Sequence, residues 1–430
     1  MSKKKYYIYS VIIILCVAAI ILTNNMSRKR ERQKTVSQND DVVEISIATS
    51  WCGNDTKAQA LERIINDFER KNKNIKIKNR SRENDCFLFI LKTDFAQGND
   101  PDIFGLWPGS DITRLINAHK VMDLTGILNQ DMKWKKNFYE DSLKEKVVDN
   151  KIYGVPLEII YEGLFVNKDI FERYNVKIPT TYDELLAAVD QLKAHKIIPI
   201  AYNTTSEGSY LYQNIVMKLA GKKVIENPIK DGRLDDAYIK GMEYMQQLYK
   251  RNAFPPNLFV LDDKGRNNLF LEKKAAMIVQ GSWFIGQGAV SMDDSTVDVV
   301  NFPSFKEGKA DDSAIVYGFG NGDFHISTKA YYDEKKRNAC IKFFKYLTSE
   351  EAGNLIVNSS GSISNIKSVY RDKISDILLK GDALRENSKE LVGPPDSYVE
   401  RTAWDNMMIK NFPDMLKGNK EPRDIVKEME

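Results

Sequence analysis

Two hydrophobic periods alternate along this chain, and the switches between them mark its elements. From Val42 to Ala48 every second position is apolar, with Val43, Ile45 and Ile47 on one face, the period of a strand. Leu61, Ile64, Ile65 and Phe68 then recur at spacings of three and four, the stripe of an amphipathic helix. Ile75-Lys76-Ile77 predicts a second strand. Pro101 to Trp107 predicts a third, stopped by the turn residues Pro108-Gly109-Ser110. Further on, Ile159–Val166 is strand-like and Asp169–Tyr174 a short helix. Thr181-Tyr182-Asp183-Glu184 has the spacing of a capping box, opening a helix to about Lys193. Strands are expected at Ile197–Tyr202, Ala275–Val279 and Val297–Phe302, and a helix at Glu334–Leu347. Strand and helix alternate throughout, the order of parallel α/β layers, and no tandem repeat interrupts it. With 430 residues there is chain enough for two lobes, each with its own core.

A different pattern precedes this body. Lys3-Lys4-Lys5 leads into an apolar run from Tyr6 to Leu22, broken only by Ser10. Roughly 17 residues of helix span about 26 Å, barely a bilayer core. The run also fits an export signal. Ile20-Ile21-Leu22 continues past the small residues Val17-Ala18-Ala19, which makes a poor cleavage site, and Leu15 precedes Cys16 where acylation needs a small residue. An uncleaved anchor therefore ranks ahead of a cleaved signal and a lipid anchor. Residues 23–42 are polar and suit a tether.

Composition narrows the function. Apolar residues make up 42% and charged residues 29%, the balance of a globular body. The net charge of +3 is spread along the chain, not gathered on one basic face, which argues against nucleic acid. Cys16, Cys52, Cys86 and Cys340 lack the spacing of a zinc site, so neither a metal nor a cofactor is expected. Cys52 and Cys86 could pair outside the cell or remain separate thiols.

The tryptophans point to a ligand. Trp51 and Trp107 fall just beyond predicted strands, and Trp283 follows Gln280-Gly281-Ser282. In open α/β sheets ligands bind beyond the strand carboxyl ends. Flat rings stack on the C–H faces of sugars while carboxylates and amides hold the hydroxyls.

Several segments, in order, carry a family pattern: ALERIINDFERKNKNIK at Ala60–Lys76, AQGNDPDIFGL at Ala96–Leu106 and KIYGVPLEIIYEGLFVNKDIF at Lys151–Phe171. PTTYDEL at Pro179–Leu185, EKKAAMIVQGSW at Glu272–Trp283 and FFKYLTSEEAG at Phe343–Gly353 complete it. From residue 43 onward the chain resembles the extracellular solute-binding proteins of ABC importers, in the carbohydrate-type group that includes maltose-binding protein. The resemblance implies a two-lobed periplasmic-binding-protein-like fold of type II, hinged between lobes, after the N-terminal helix or signal. Residues 43–158 and 304–348 would form lobe one, and 159–303 and 349–430 lobe two, with crossings near Glu158–Tyr161 and Phe302–Pro303. It further implies a monomer outside the cell, held to the membrane by its N-terminal segment, delivering a sugar to permease subunits.

Carried over position by position, the candidate ligand residues are Trp51, Asn54 and Asp55 after the first strand, Trp107 and Asp111 after the third, and Glu158 at the first crossing. Trp283 would stack on the ligand from the second lobe, Trp404 would cap the cleft, and Tyr317 and Phe319 would form a rim among Gly318, Gly320 and Gly322. Asn54 departs from the charged pair of the maltose-type pattern, so the resemblance leaves the sugar open. Two other readings stand beside transport. One is a membrane-held body that presents its solute to a sensor kinase. The other is a glycoside hydrolase built on Asp55, Asp111 and Glu158. Catalysis is disfavoured, because His119, His195 and His325 are scattered and no phosphate-cradling loop opens a helix.

Overall fold

The computed structural model describes residues 42–427 apart from 54, 145–146, 290–294, 319–322, 361–362 and 370–374. The N-terminal apolar run, Asn54 and Phe319 lie outside the described residues. No described helix is long and apolar enough to cross a membrane.

In chain order, β1 (Val43–Ala48), α1 (Ala58–Lys71), β2 (Ile75–Asn79), α2 (Asn84–Ala96), β3 (Ile103–Leu106) and α3 (Ser110–Asn117) build the first lobe. The short β4 (Val155–Pro156) leads directly into the ten-residue β5 (Glu158–Asn167). Then follow α4 (Tyr182–Ala194), β6 (Ile198–Ile200), α5 (Ser209–Ala220), α6 (Asp236–Lys250), α7 (Asp263–Leu271), β7 (Ala275–Gly281), β8 (Val297–Val300) and β9 (Ile315–Gly318). The last stretch carries β10 (Asp323–Ile326), α8 (Glu334–Leu347), α9 (Glu350–Ser360), β11 (Ile363–Ser364), α10 (Asp376–Asn387) and β12 (Leu391–Val392).

Two sheets result. The first runs β2-β1-β3-β10-β4, and the second β12-β9-β5-β7-β6, with β8 and β11 also paired to β5. In the first, β1 is parallel to β2 and β3 while β10 runs antiparallel to β3. In the second, β5 is antiparallel to β7 and β9. Alternating positions feed opposite faces, as the pleat requires. Ile45, Ile47 and Ile103 join one first-lobe core with Leu61, Ile64, Ile65 and Phe68, and Ala48 and Phe104 join the other. Leu164 and Val166 of β5 enter the large second-lobe core, while Ile159, Tyr161 and Phe165 enter the core on the opposite face. Buried side chains of this size contribute about 1.5–3 kcal/mol each, so each lobe has its own reason to stay folded.

Local signals survive folding. Thr181 accepts from the Glu184 amide at 3.3 Å, but Glu184 reaches back to the amide of Thr180 at 2.9 Å, one residue short of a full capping box.

The lobe boundaries need two corrections. The chain does not leave lobe two near Phe302: β9 still pairs with β5 at Tyr161 and Ile160, and β10 is the next strand of the first sheet. Nor does lobe one end at residue 348. Helix α9 packs on α1 and places Ile356 and Val357 in the first-lobe core. The physical reason is the same in both places: a buried apolar face goes where its complementary face is, and sequence spacing does not reveal that.

Candidate functional site

Both sheets aim the same kind of end at one cleft. In the first, β1 and β3 finish at Ala48 and Leu106, and the antiparallel β10 begins there because Asp323 pairs with Leu106. In the second, β7 ends at Gly281 beside Glu162, near the start of β5. The crossing from Pro156 to Glu158 thus lies at the floor between the two sets of strand ends.

A buried ion pair holds that floor. Lys57, just before α1, reaches across from lobe one to Glu158, with Nζ 2.9 Å from Oε1. The side chains are 6% and 1% exposed, so the pair is shielded from water. Glu158 Oε2 is buried without a hydrogen-bond partner among the described residues. Asp55 is half-buried and accepts from the Lys57 amide at 2.7 Å. Burial raises the Asp55 pKa, against the pull of the Lys57 ammonium. For Lys57 itself burial works the other way, but Glu158 and Asp55 more than offset it and leave the ammonium harder to deprotonate than usual.

Lobe two supplies a second acidic group. Glu162 is fully buried, accepts from Asn214 at 2.7 Å, and has its pKa raised well above the ordinary value by burial, with Asp396 adding to the shift. Beside it Tyr210 meets Trp283 edge-on at 5.5 Å. Glu207 is bound to Arg266 at 2.8 Å and to Gln280 at 3.2 Å, and burial raises its pKa. Arg266, 1% exposed, also donates to Asn203 and Asn267, so one guanidinium pins the loop after β6 to α7. Such a network holds these side chains in fixed positions.

The predicted residues sort unevenly. Glu158 and Asp55 meet through Lys57. Trp107 is half-buried, meets Phe87 edge-on at 5.9 Å, and carries the Arg401 guanidinium over its face at 5.8 Å. Asp111 lies in the first turn of α3, paired with Lys92 at 2.8 Å. Trp283 is half-buried at the end of β7, and Tyr317, also half-buried, pairs in register with Tyr161. Two assignments are corrected. Trp404 is 1% exposed inside the second-lobe core, packed against Tyr212 and Tyr238, because its short helix turns that face inward. Trp51 is also 1% exposed, set edge-on to Phe324 at 5.2 Å with Lys57 above its ring at 5.1 Å, so it offers no open stacking face.

Sequence reasoning missed Lys57, Glu162, Tyr210, Arg266, Asp396 and Arg401. Glu162 did carry a signal, as a carboxylate inside the apolar stretch Ile159–Val166, and Glu207 and Tyr210 follow a predicted strand end. Arg401 carried none. Cys52, Cys86 and Cys340 hold free thiols. A separate polar groove at the other end of the first sheet is lined by Ser46, Lys78, Arg80, Asp102 and Lys336. Asp102 there is spoken for by Ser46 and by Lys336 at 3.0 Å.

Two α/β lobes joined through β5, with their strand ends turned to one another, are the architecture of a two-lobed solute-binding protein. The family model for bacterial extracellular solute-binding proteins matches residues 53–354, and the chain belongs to that family. It is 28% identical over 332 residues to the multiple sugar-binding protein of Streptococcus mutans, covering 74% of each chain. It is 23% identical over 348 residues to the galactooligosaccharide-binding protein of Bacillus subtilis, covering 76% of this chain and 74% of that one. Among solved structures, a chitin oligosaccharide binding protein superposes with a TM-score of 0.79 at 22% identity, over 90% of this chain and 97% of that one. The raffinose complex of the binding protein RafE gives 0.74 at 21% identity, over 90% and 98%.

Proposed function

We propose that this protein captures a sugar or oligosaccharide outside the cell and delivers it to the permease subunits of an ABC importer. The observation that carries the reading is the placement of two buried carboxylates, Glu158 and Glu162, and the half-buried ring of Trp283 at the strand ends. Carboxylate oxygens accept strongly from hydroxyls, and an aromatic face suits the C–H side of a pyranose. The sugar-binding relatives support the same ligand class. In this reading the protein performs no chemistry on its ligand. It works as a monomer, needs no cofactor, and stays on the outer face of the membrane through residues 1–22.

A ligand that touches both lobes stabilises the closed arrangement through its differential contacts. A thermal-shift screen with neutral mono- and oligosaccharides tests this, because binding to the folded state alone raises the melting temperature by mass action. Ligand should also quench tryptophan fluorescence. A panel without any shift, or a shift confined to peptides or polyamines, would refute the saccharide reading. Released monosaccharide after incubation would refute the non-catalytic one. Intact-mass analysis of the membrane fraction checks the retained N-terminus.

A further inference from the structure

At one end of the cleft the lobes already touch. The lobe-two segment after β12 lies against the lobe-one loop between β3 and α3. Ser110 Oγ donates to the Val399 carbonyl at 3.4 Å. Arg114 Nη1 lies 3.2 Å from Glu400 Oε1. A Cβ at Gly109 would collide with the Ser397 carbonyl, and its φ of +111° is a glycine conformation, so only glycine at this position lets the two backbones come this close. Arg401 completes the contact. Its guanidinium is bound to Asp396 of its own lobe at 2.6 Å and covers the Trp107 ring of the other lobe.

We infer that this contact is a clasp that seals one end of the cleft, and that Arg401, seated on the face of Trp107, sets how long a ligand the cleft accepts. The inference rests on the saccharide reading for its ligand. A guanidinium is a good partner for an indole face, because the ring's negative quadrupole attracts the cation. A sugar ring wanting that face must displace Arg401 and strand Asp396. The site is therefore blind at the Trp107 end, and additional sugar units must extend the other way or not fit. Arg114–Glu400 is more exposed, at 58% and 34%, and acts as the outer fastening.

Two arms test the clasp. In the ligand-free arm, small-angle scattering compares wild type, Arg114→Glu, and the reversed pair Arg114→Glu with Glu400→Arg. The single reversal should enlarge the radius of gyration and the double should restore it. In the ligand arm, calorimetry compares gluco-, galacto- and chito-oligosaccharides, from di- to hexasaccharides, on wild type and Arg401→Ala. Wild type should favour the shorter members of whichever series binds, and Arg401→Ala should move the preference to longer ones. The single reversal Arg114→Glu should weaken binding by roughly two- to fivefold, the scale of an exposed ion pair, with recovery in the double variant Arg114→Glu with Glu400→Arg. Should Arg401→Ala fail to fold, because Asp396 loses its cation, Trp107→Ala opens the same end from the other lobe.

An unchanged radius in the single reversal overturns the clasp. So does a length profile that is the same in wild type and in the variants that open the Trp107 end. If no saccharide binds wild type, the saccharide reading fails, and the scattering arm alone decides the clasp.

Discussion

Replacing Lys57 by Met keeps much of the side chain's length while removing the ammonium from the floor of the cleft. In the native protein that ammonium lies 2.9 Å from Glu158, with both groups almost wholly shielded from solvent. At an effective dielectric of about 20, two unit charges at that separation attract by roughly 6 kcal/mol. The desolvation of both ions has consumed part of this, and removing one partner of a buried pair costs about 3–5 kcal/mol in practice. Lys57→Met should therefore lose about 3–5 kcal/mol in urea unfolding at pH 7. Adding Glu158→Gln, which removes the orphaned charge, should recover most of the loss. A destabilisation under 1 kcal/mol at pH 7 would refute the claim that this pair is a dry, stabilising contact between the lobes.

Four further outcomes follow. Glu162 has a raised folded pKa, so its ionised form costs stability at pH above that pKa, and the cost disappears as pH falls towards the unfolded value of about 4.3. Glu162→Gln should therefore melt higher than wild type at pH 8, with the gap closing towards pH 5 in a pH series of thermal scans. Trp283→Ala should weaken saccharide binding by about 1–3 kcal/mol in calorimetry and barely change the melting temperature, since the ring is half-buried. Trp404→Ala should do the reverse: about 3–5 kcal/mol of fold stability, read by urea midpoint, because the ring fills the second-lobe core. Lys218→Met should destabilise lobe two by about 1–3 kcal/mol in the same assay. Its buried ammonium donates to the carbonyls of Asp312 at 2.7 Å and Ala314 at 2.8 Å, and burial lowers its pKa to about 8.

Much of the local structure was legible in the chain alone. Val43, Ile45 and Ile47 could occupy one face only as a strand, and Leu61, Ile64, Ile65 and Phe68 only as a helix, because backbone geometry ties side-chain direction to position. The Pro101–Trp107 strand, the helix opened by Thr181 and the α/β alternation follow from the same short-range rules, and Glu158 was recognisable at the first crossing. The tertiary structure decided what those rules cannot reach. Whether β9 would pair with β5 or return to lobe one depends on which buried face it matches, across more than a hundred residues of chain. Trp404, Trp51 and Trp283 all have small or polar neighbours in sequence, yet the first two are core and the third is half-buried at a strand end. Their burial is set by helices and strands that the chain brings up from elsewhere. The same holds for charge: Lys57 has no mark distinguishing it from other surface lysines until folding sets it against Glu158, 101 positions away in sequence. Periodicity is a property of neighbours along the chain, whereas a binding cleft is made of neighbours in space, and only the packing of the two sheets produces those.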